Sequence, residues 1–188
     1  MSASKRDELV REALKVFYKN GFIATGMDKV VNETGISKTS MYNHFRTKED
    51  LILAVLRLRD ENFRNWLTRR IEDLADTPKE RLLAMFDALD EWFTQEDYSS
   101  CMFIKASSEY QEHSHPIHAI SAEHKRLLFT YIKGLAEKAR AKHPDILARQ
   151  LLLLKEGAIV TAHLQGPDGV AAQARAAATV LLENSLPD

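Results

Sequence analysis

Apolar residues along this 188-residue chain recur at intervals of three and four, as in Leu9, Ala13, Val16 and Phe17, or in Phe63, Trp66, Leu67, Ile71 and Leu74. That period gathers apolar side chains on one face of a helix, and no stretch shows the strict alternation of a half-buried strand. The chain is therefore expected to be all-α. Its five prolines, Pro78, Pro116, Pro144, Pro167 and Pro187, follow a proline-free stretch of 77 residues and read as punctuation between helices. Thr77-Pro78-Lys79-Glu80 is a strong helix start. Thr77 can cap, Pro78 takes the first position where its missing N–H costs nothing, and Glu80 completes a capping box. Ser4 to Asp7 and Thr47 to Asp50 offer the same reciprocal geometry. Helices are predicted near 4–20, 27–34, 38–45, 48–74, 78–94, 99–113, 116–141, 145–165 and 168–184.

At 45% hydrophobic residues the chain can build a sizeable core. Its single cysteine, Cys101, excludes an intramolecular disulfide, and the opening MSASKRDELV lacks an apolar run of signal-peptide length. No window approaches the ~18 consecutive apolar residues of a spanning helix. A soluble, cytoplasmic protein is expected. Net charge is −1, yet it is unevenly spread: nine basic residues stand against five acidic ones up to residue 48, and 17 against 22 thereafter. A basic N-terminal module on an acidic body suits one part that touches phosphates and another that does not.

The segment MDKVVNETG followed by ISKTSMYNHF has the layout of a helix-turn-helix. Gly35 suits a left-handed turn residue, Ile36 plugs the angle between the helices, and Ser37 caps the helix that follows. In that second helix Met41 and Phe45 form an inward stripe at i, i+4. Lys38, Thr39, Ser40, Tyr42, Asn43 and His44 point outward, a set suited to reading base edges and bonding phosphates in a DNA groove. The plainer reading is a solvent-exposed helix rich in short polar residues.

From Glu12 to Leu56 the chain resembles the N-terminal DNA-binding domain of the TetR family of transcriptional repressors. The resemblance is carried by an amphipathic first helix ending in NGF, AT before the second helix, VVNETGISKTSMYNHF through the turn, and KEDL opening a long helix. It implies that Thr25, Tyr42, His44 and Lys48 bind the DNA backbone while Lys38, Thr39, Ser40 and Asn43 face the major groove. One departure is Gly26, where the family more often has a hydroxyl residue. Gly can still cap, without the side-chain bond, which leaves Thr25 as the phosphate contact there. The implied division is a helix-turn-helix domain over 1–47 and a helical effector-binding and dimerisation domain over 48–188.

Beyond residue 60 the resemblance is weaker, though CMFIKASSEY and LARQLLLLKEGAIVTAHL still look like regulatory-domain helices of some members. It implies a homodimer built on the last two helices, a small-molecule effector pocket in each subunit, and a double-stranded DNA operator. Apolarity on more than one face of residues 145–165 independently calls for two neighbours. Candidate pocket residues are Phe63, Trp66, Leu67, Met85, Leu89, Trp92, Phe93, Met102, Phe103, Tyr110, Phe129 and His163, with ordinary core packing as the alternative for each. Their mixture favours a mainly apolar or aromatic ligand. Cys101, four residues before Lys105, raises a redox alternative against that of a buried, inert thiol. His113, His115 and His118, with His124 beyond, suggest metal only weakly, because Pro116 breaks the helix that would set ligand spacing. No Gly-rich phosphate loop, nucleophile elbow or HExxH helix is present, so neither catalysis nor a cofactor is expected.

Overall fold

The computed structural model describes residues 4–187, and within them it consists of nine helices with no strand: α1 Lys5–Asn20, α2 Met27–Thr34, α3 Lys38–His44, α4 Lys48–Leu74, α5 Pro78–Phe93, α6 Met102–Glu109, α7 Pro116–Lys138, α8 Pro144–Gln165 and α9 Val170–Ser185. The local start signals operate as the residue types require. Thr77 Oγ1 accepts from the Glu80 N–H while the Glu80 carboxylate accepts from the Thr77 N–H, with Pro78 at the first helical position. Thr47 and Asp50 exchange the same two bonds, each 3.1 Å long. Ser4 accepts from the Asp7 N–H at 3.1 Å.

Two helices are shorter than their periodicity suggests. α6 spans Met102–Glu109 rather than 99–113, because Ser100 sits at φ 64° ahead of it and Tyr110 leaves helical geometry behind it. α7 ends at Lys138 because Arg140 turns left-handed, at φ 59°, and the Ala141 N–H reaches back to the Ala136 carbonyl. This is a left-handed helix stop made without glycine. No helix among the described residues is long and apolar enough to cross a membrane.

Packing divides the chain into two compact units. The first takes in the chain up to Phe63 together with Cys101–His124, and the second holds Arg64–Ser100 and the chain from Lys125 onward. α4 and α7 each contribute to both. In the first unit, α1 buries Leu9, Val10, Ala13, Val16, Phe17 and Tyr18, its three-and-four stripe, and α4 buries Leu51, Ile52, Val55 and Leu56. Burial of each Val, Leu, Ile or Phe among them contributes about 1.5–3 kcal/mol of transfer free energy. His124 is fully inside this unit: its Nδ1 lies 2.7 Å from the Asp60 carboxylate, and its ring stacks on Phe103 at 3.8 Å.

In the second unit α9 packs against α5 and α8. Its alanines bring the backbones together, with Ala171, Ala178 and Leu182 buried. α8 buries Leu147, Ala148, Leu151, Ala158, Ile159 and Ala162, yet leaves Ile146, Leu153, Val160 and Leu164 exposed. The first three of these are seven residues apart and form a second stripe on the same helix, as its continuous apolarity predicts.

Within that buried face stands Lys155, 1% exposed, whose ammonium donates to Glu156 at 2.9 Å; Lys125 donates to the other carboxylate oxygen at 2.6 Å. Burial pushes the Glu156 carboxyl up, but the charges and hydrogen bonds of Lys155 and Lys125 outweigh it and hold the group at about 2. A carboxylate held below its unfolded value of 4.5 contributes stability that is complete above that pH and is lost as the pH falls toward 2. Glu156→Gln should cost about 3 kcal/mol near neutral pH, since it strands a buried ammonium. Urea unfolding at a series of pH values should also show a flatter acid limb between pH 4.5 and 2 than in the wild type. Equal acid limbs in the two proteins would rule out this role for Glu156. Thr77→Ala, which opens the α5 capping box, should cost about 1 kcal/mol, read as a Tm lowered by about 2–4 °C.

Candidate nucleic-acid interface

α2 ends where Gly35 adopts φ 68° and its N–H bonds the Val31 carbonyl at 3.0 Å. A Cβ at Gly35 would meet nothing within 4 Å, so glycine is required there by the left-handed backbone and not by crowding. Ser37 then turns extended and its hydroxyl accepts from the Ser40 N–H at 3.2 Å, which starts α3. Met41 is fully buried, and Phe45 is buried one residue past the helix, where its extended backbone ends α3. The Arg6 guanidinium lies 5.0 Å over the Phe45 ring. α3 is therefore held by its cap and by two side chains on one edge.

The other side of α3 carries the expected outward set. Lys38, Thr39, Tyr42, Asn43 and His44 are exposed and Ser40 is half-buried. Lys38 is not solitary: its ammonium donates to Asp28 of α2 at 2.7 Å, and that hydrogen bond and charge raise its pKa. Both partners are exposed, so the pair is held weakly and can open. Lys48, the first residue of α4, is half-buried and donates to the Ile23 carbonyl at 3.2 Å. Its two remaining N–H bonds are available to an acceptor.

Thr25 departs from the expectation of a phosphate contact. Its side chain is fully buried, and Oγ1 finds no hydrogen-bond partner in the protein. The turn Gly21–Gly26 directs this side chain inward beneath its own backbone, with the Thr25 N–H bonded to the Phe22 carbonyl at 3.3 Å. Gly26 caps α2 through its carbonyl alone, which accepts from the Val30 N–H at 3.2 Å.

The candidate effector residues fall into both compact units. In the first, Phe63, Met102 and Phe103 are buried and Tyr110 is half-buried. In the second, Leu67, Met85, Leu89, Trp92 and Phe93 are buried, Trp66 and Phe129 are half-buried, and His163 is exposed. Trp92 and Phe93 are gathered by Tyr98, whose ring centroid lies 5.0 and 5.3 Å from theirs and whose hydroxyl donates to the Ile159 carbonyl. Tyr98 gave no periodic signal, being in the loop after α5. Phe129 lines a cavity of about 630 Å³ between α7 and α8, with Lys125, Arg126, Arg149, Leu152, Leu153 and Glu156.

The remaining candidates have local occupations. Cys101 is buried at the start of α6, and the Lys105 ammonium donates to the Tyr18 carbonyl at 3.1 Å. His115 Nδ1 accepts from the Ile117 N–H, and His118 Nδ1 lies 2.9 Å from the Tyr110 carbonyl. Among the described residues no group of three or more His, Cys, Asp or Glu is arranged to hold a metal ion.

A capped, sparsely anchored α3 that follows α2 across a left-handed glycine defines a helix-turn-helix, and with the helical remainder it places the chain among helix-turn-helix regulators. Residues 9–55 match the family model of bacterial regulatory proteins of the tetR family. The chain belongs to the TetR family and is a transcriptional regulator. The HTH-type transcriptional regulator YjdC of Escherichia coli is 25% identical over 82% of this chain and 81% of its own. The HTH-type transcriptional repressor KstR2 of Mycolicibacterium smegmatis is 37% identical over 46% of this chain and 42% of its own. A TetR-family regulator from Streptomyces coelicolor shares the fold at a TM-score of 0.89 and 23% identity, covering 96% of this chain and 95% of that one.

Thr25→Val tests the burial of that residue directly. Replacing a buried, unpartnered hydroxyl by a methyl is expected to keep or raise the Tm, with DNA affinity unchanged in fluorescence anisotropy. A clear loss of affinity in a well-folded variant would return Thr25 to the interface.

Proposed function

We propose that this regulator binds a palindromic operator as a homodimer, represses transcription there, and is released by a small, mainly apolar or aromatic effector. Residues 1–47 form the DNA-binding domain and 48–188 the effector-binding and dimerisation domain, whose first residue, Lys48, adds one DNA contact. Lys38, Thr39, Ser40 and Asn43 face the major groove, and Tyr42, His44 and Lys48 bond the sugar-phosphate backbone. The observation that carries this reading is α3 itself. Its cap and its two buried anchors leave the polar residues from Lys38 to His44 outside the core, where core packing has no use for them.

Dimerisation through the last two helices is supported by exposed Ile146, Leu153, Val160 and Leu164 on α8 and Val180 on α9. Large apolar residues recurring on one face of a helix favour burial against a partner. A two-fold dimer would present its two α3 helices to half-sites ~34–36 Å apart, or a multiple of that distance. The cavity beside Phe129 supports an effector with an apolar body, since Leu152 and Leu153 line it as well. The redox alternative draws less support, because the Cys101 thiol is only 5% exposed.

Lys48→Ala is the test of the DNA contacts. It should weaken binding to every duplex and reduce the slope of log affinity against log salt by about 0.9 per subunit, the loss of one phosphate contact. Anisotropy titrations at several salt concentrations, with DNA from upstream of the chain's own reading frame and with unrelated DNA, measure both. An unchanged slope would remove Lys48 from the interface.

A further inference from the structure

We propose that Glu109, at the C-terminal end of α6, is a positioning residue for DNA binding: its carboxylate holds the α1–α2 turn and through that turn fixes the ammonium of Lys48. The inference rests on the reading of Lys48 as a phosphate contact. Nothing in the sequence pattern marks Glu109 for such a role, as it lies 87 residues from the first group it bonds.

The geometry is specific. Glu109 accepts from the Phe22 N–H through both oxygens, at 3.1 and 3.0 Å, and from the Ile23 N–H at 2.5 Å. A carboxylate accepting from successive backbone N–H groups forms charge-assisted bonds, stronger than bonds between neutral groups. Gly21 makes the approach feasible. The residue is at φ 80°, so the backbone requires glycine, and a Cβ there would stand 3.0 Å from Glu109 Oε1, a tight contact that would push on the carboxylate. One turn earlier on α6, Lys105 donates to the Tyr18 carbonyl in the last turn of α1. α6 thus presents a cation to the carbonyl end of α1, which the helix dipole favours, and an anion to the N–H groups of the turn just beyond it.

The Ile23 peptide links this grip to the DNA-facing side. Its N–H is held by Glu109, and its carbonyl accepts from Lys48 Nζ at 3.2 Å. Phe22 locks the same turn from inside, fully buried and stacked on Phe17 at 5.5 Å. Without the carboxylate, two backbone N–H groups lose their acceptor and the carbonyl that orients Lys48 loses its fixed position. Glu109 touches no DNA in this scheme. It acts through Ile23 and Lys48.

The experiment is a double-mutant cycle in the full-length protein with Glu109→Ala, Lys48→Ala and the pair, using a fluorescent duplex selected by the wild-type protein from a random-sequence pool. Glu109→Ala should weaken binding about tenfold, lose roughly the salt slope that Lys48→Ala loses, and add little in the double variant. Amide exchange at Phe22 and Ile23 should accelerate in Glu109→Ala, whereas Lys48→Ala should leave the Phe22 amide protected. Glu109→Gln keeps one acceptor oxygen and should fall between; it takes over the cycle if the alanine variant melts near the assay temperature. If Lys48→Ala lowers the slope but the two effects multiply, Glu109 does not act through Lys48 and the proposal fails alone. If Lys48→Ala leaves the slope unchanged, the phosphate-contact reading fails and takes the proposal with it.

Discussion

α3 has seven residues, too few to persist as a helix in water, and everything about the DNA-binding unit follows from how it is held. Its stability comes from outside its own hydrogen-bond ladder: the Ser37 cap, the left-handed turn at Gly35, and the burial of Met41 and Phe45. Each of these uses one end or one edge. A helix held along one edge can present the opposite face whole, and that face is where Lys38, Thr39, Tyr42, Asn43 and His44 stand. α2 packs on α1 and α3 on α2, and Arg6 of α1 lies over the Phe45 ring. α4 belongs to the same compact unit. Interior residues of α1 and α4, Leu9, Phe17, Leu51 and Val55 among them, are completely buried and make a firmly packed core for the unit that carries this weak helix.

The second unit solves a different problem. α8 is apolar on two faces, and one of them contains a buried lysine. Lys155 is tolerated there because Glu156 and Lys125 form a chain of alternating charge with it, with N···O distances of 2.9 and 2.6 Å. Such a cluster adds little net stability over well-packed apolar residues, but it punishes any loss of a member. The opposite stripe of Ile146, Leu153 and Val160 carries no such device and remains exposed. One helix therefore combines a polar interior contact of high specificity with an outer surface of low specificity. This combination suits the proposed dimer, in which α8 would keep its place in its own subunit while meeting another.

Much of the fold was legible without coordinates, and particular residues show why. Thr47, Thr77 and Ser37 were recognisable as caps because a cap bonds a residue three positions away, a distance visible in the sequence. Met41 and Phe45 were recognisable as anchors because a helix places i and i+4 on one edge. Thr25, expected at the surface, is buried. Its exposure depends on how the Gly21–Gly26 turn folds, and a threonine has the same polarity whether its hydroxyl meets solvent or is turned inward. Asp28 escaped notice because its partner Lys38 lies across a turn, ten residues on, where no helical spacing applies. The end of α6 was placed four residues late, and its beginning three early, because Ser100 and Tyr110 break the helix through backbone angles that their side chains do not demand.

The sequence by itself determined the helical class, the helix starts, the left-handed turn and the composition of the outward face of α3. All of these rest on interactions spanning at most a few residues, where backbone geometry dictates which side chains meet. Only the tertiary structure decided which polar groups serve that face and which are consumed inside. The Ile23 peptide lies between Glu109 and Lys48, Thr25 is turned inward, and Lys155 is enclosed by its neighbours. Those outcomes depend on segments 25 or more residues apart being brought together, or on the direction in which a loop turns. Hydrophobic periodicity specifies which face of a helix is buried, but it carries no information about which distant backbone amide or carbonyl will meet a charged side chain at that helix's end.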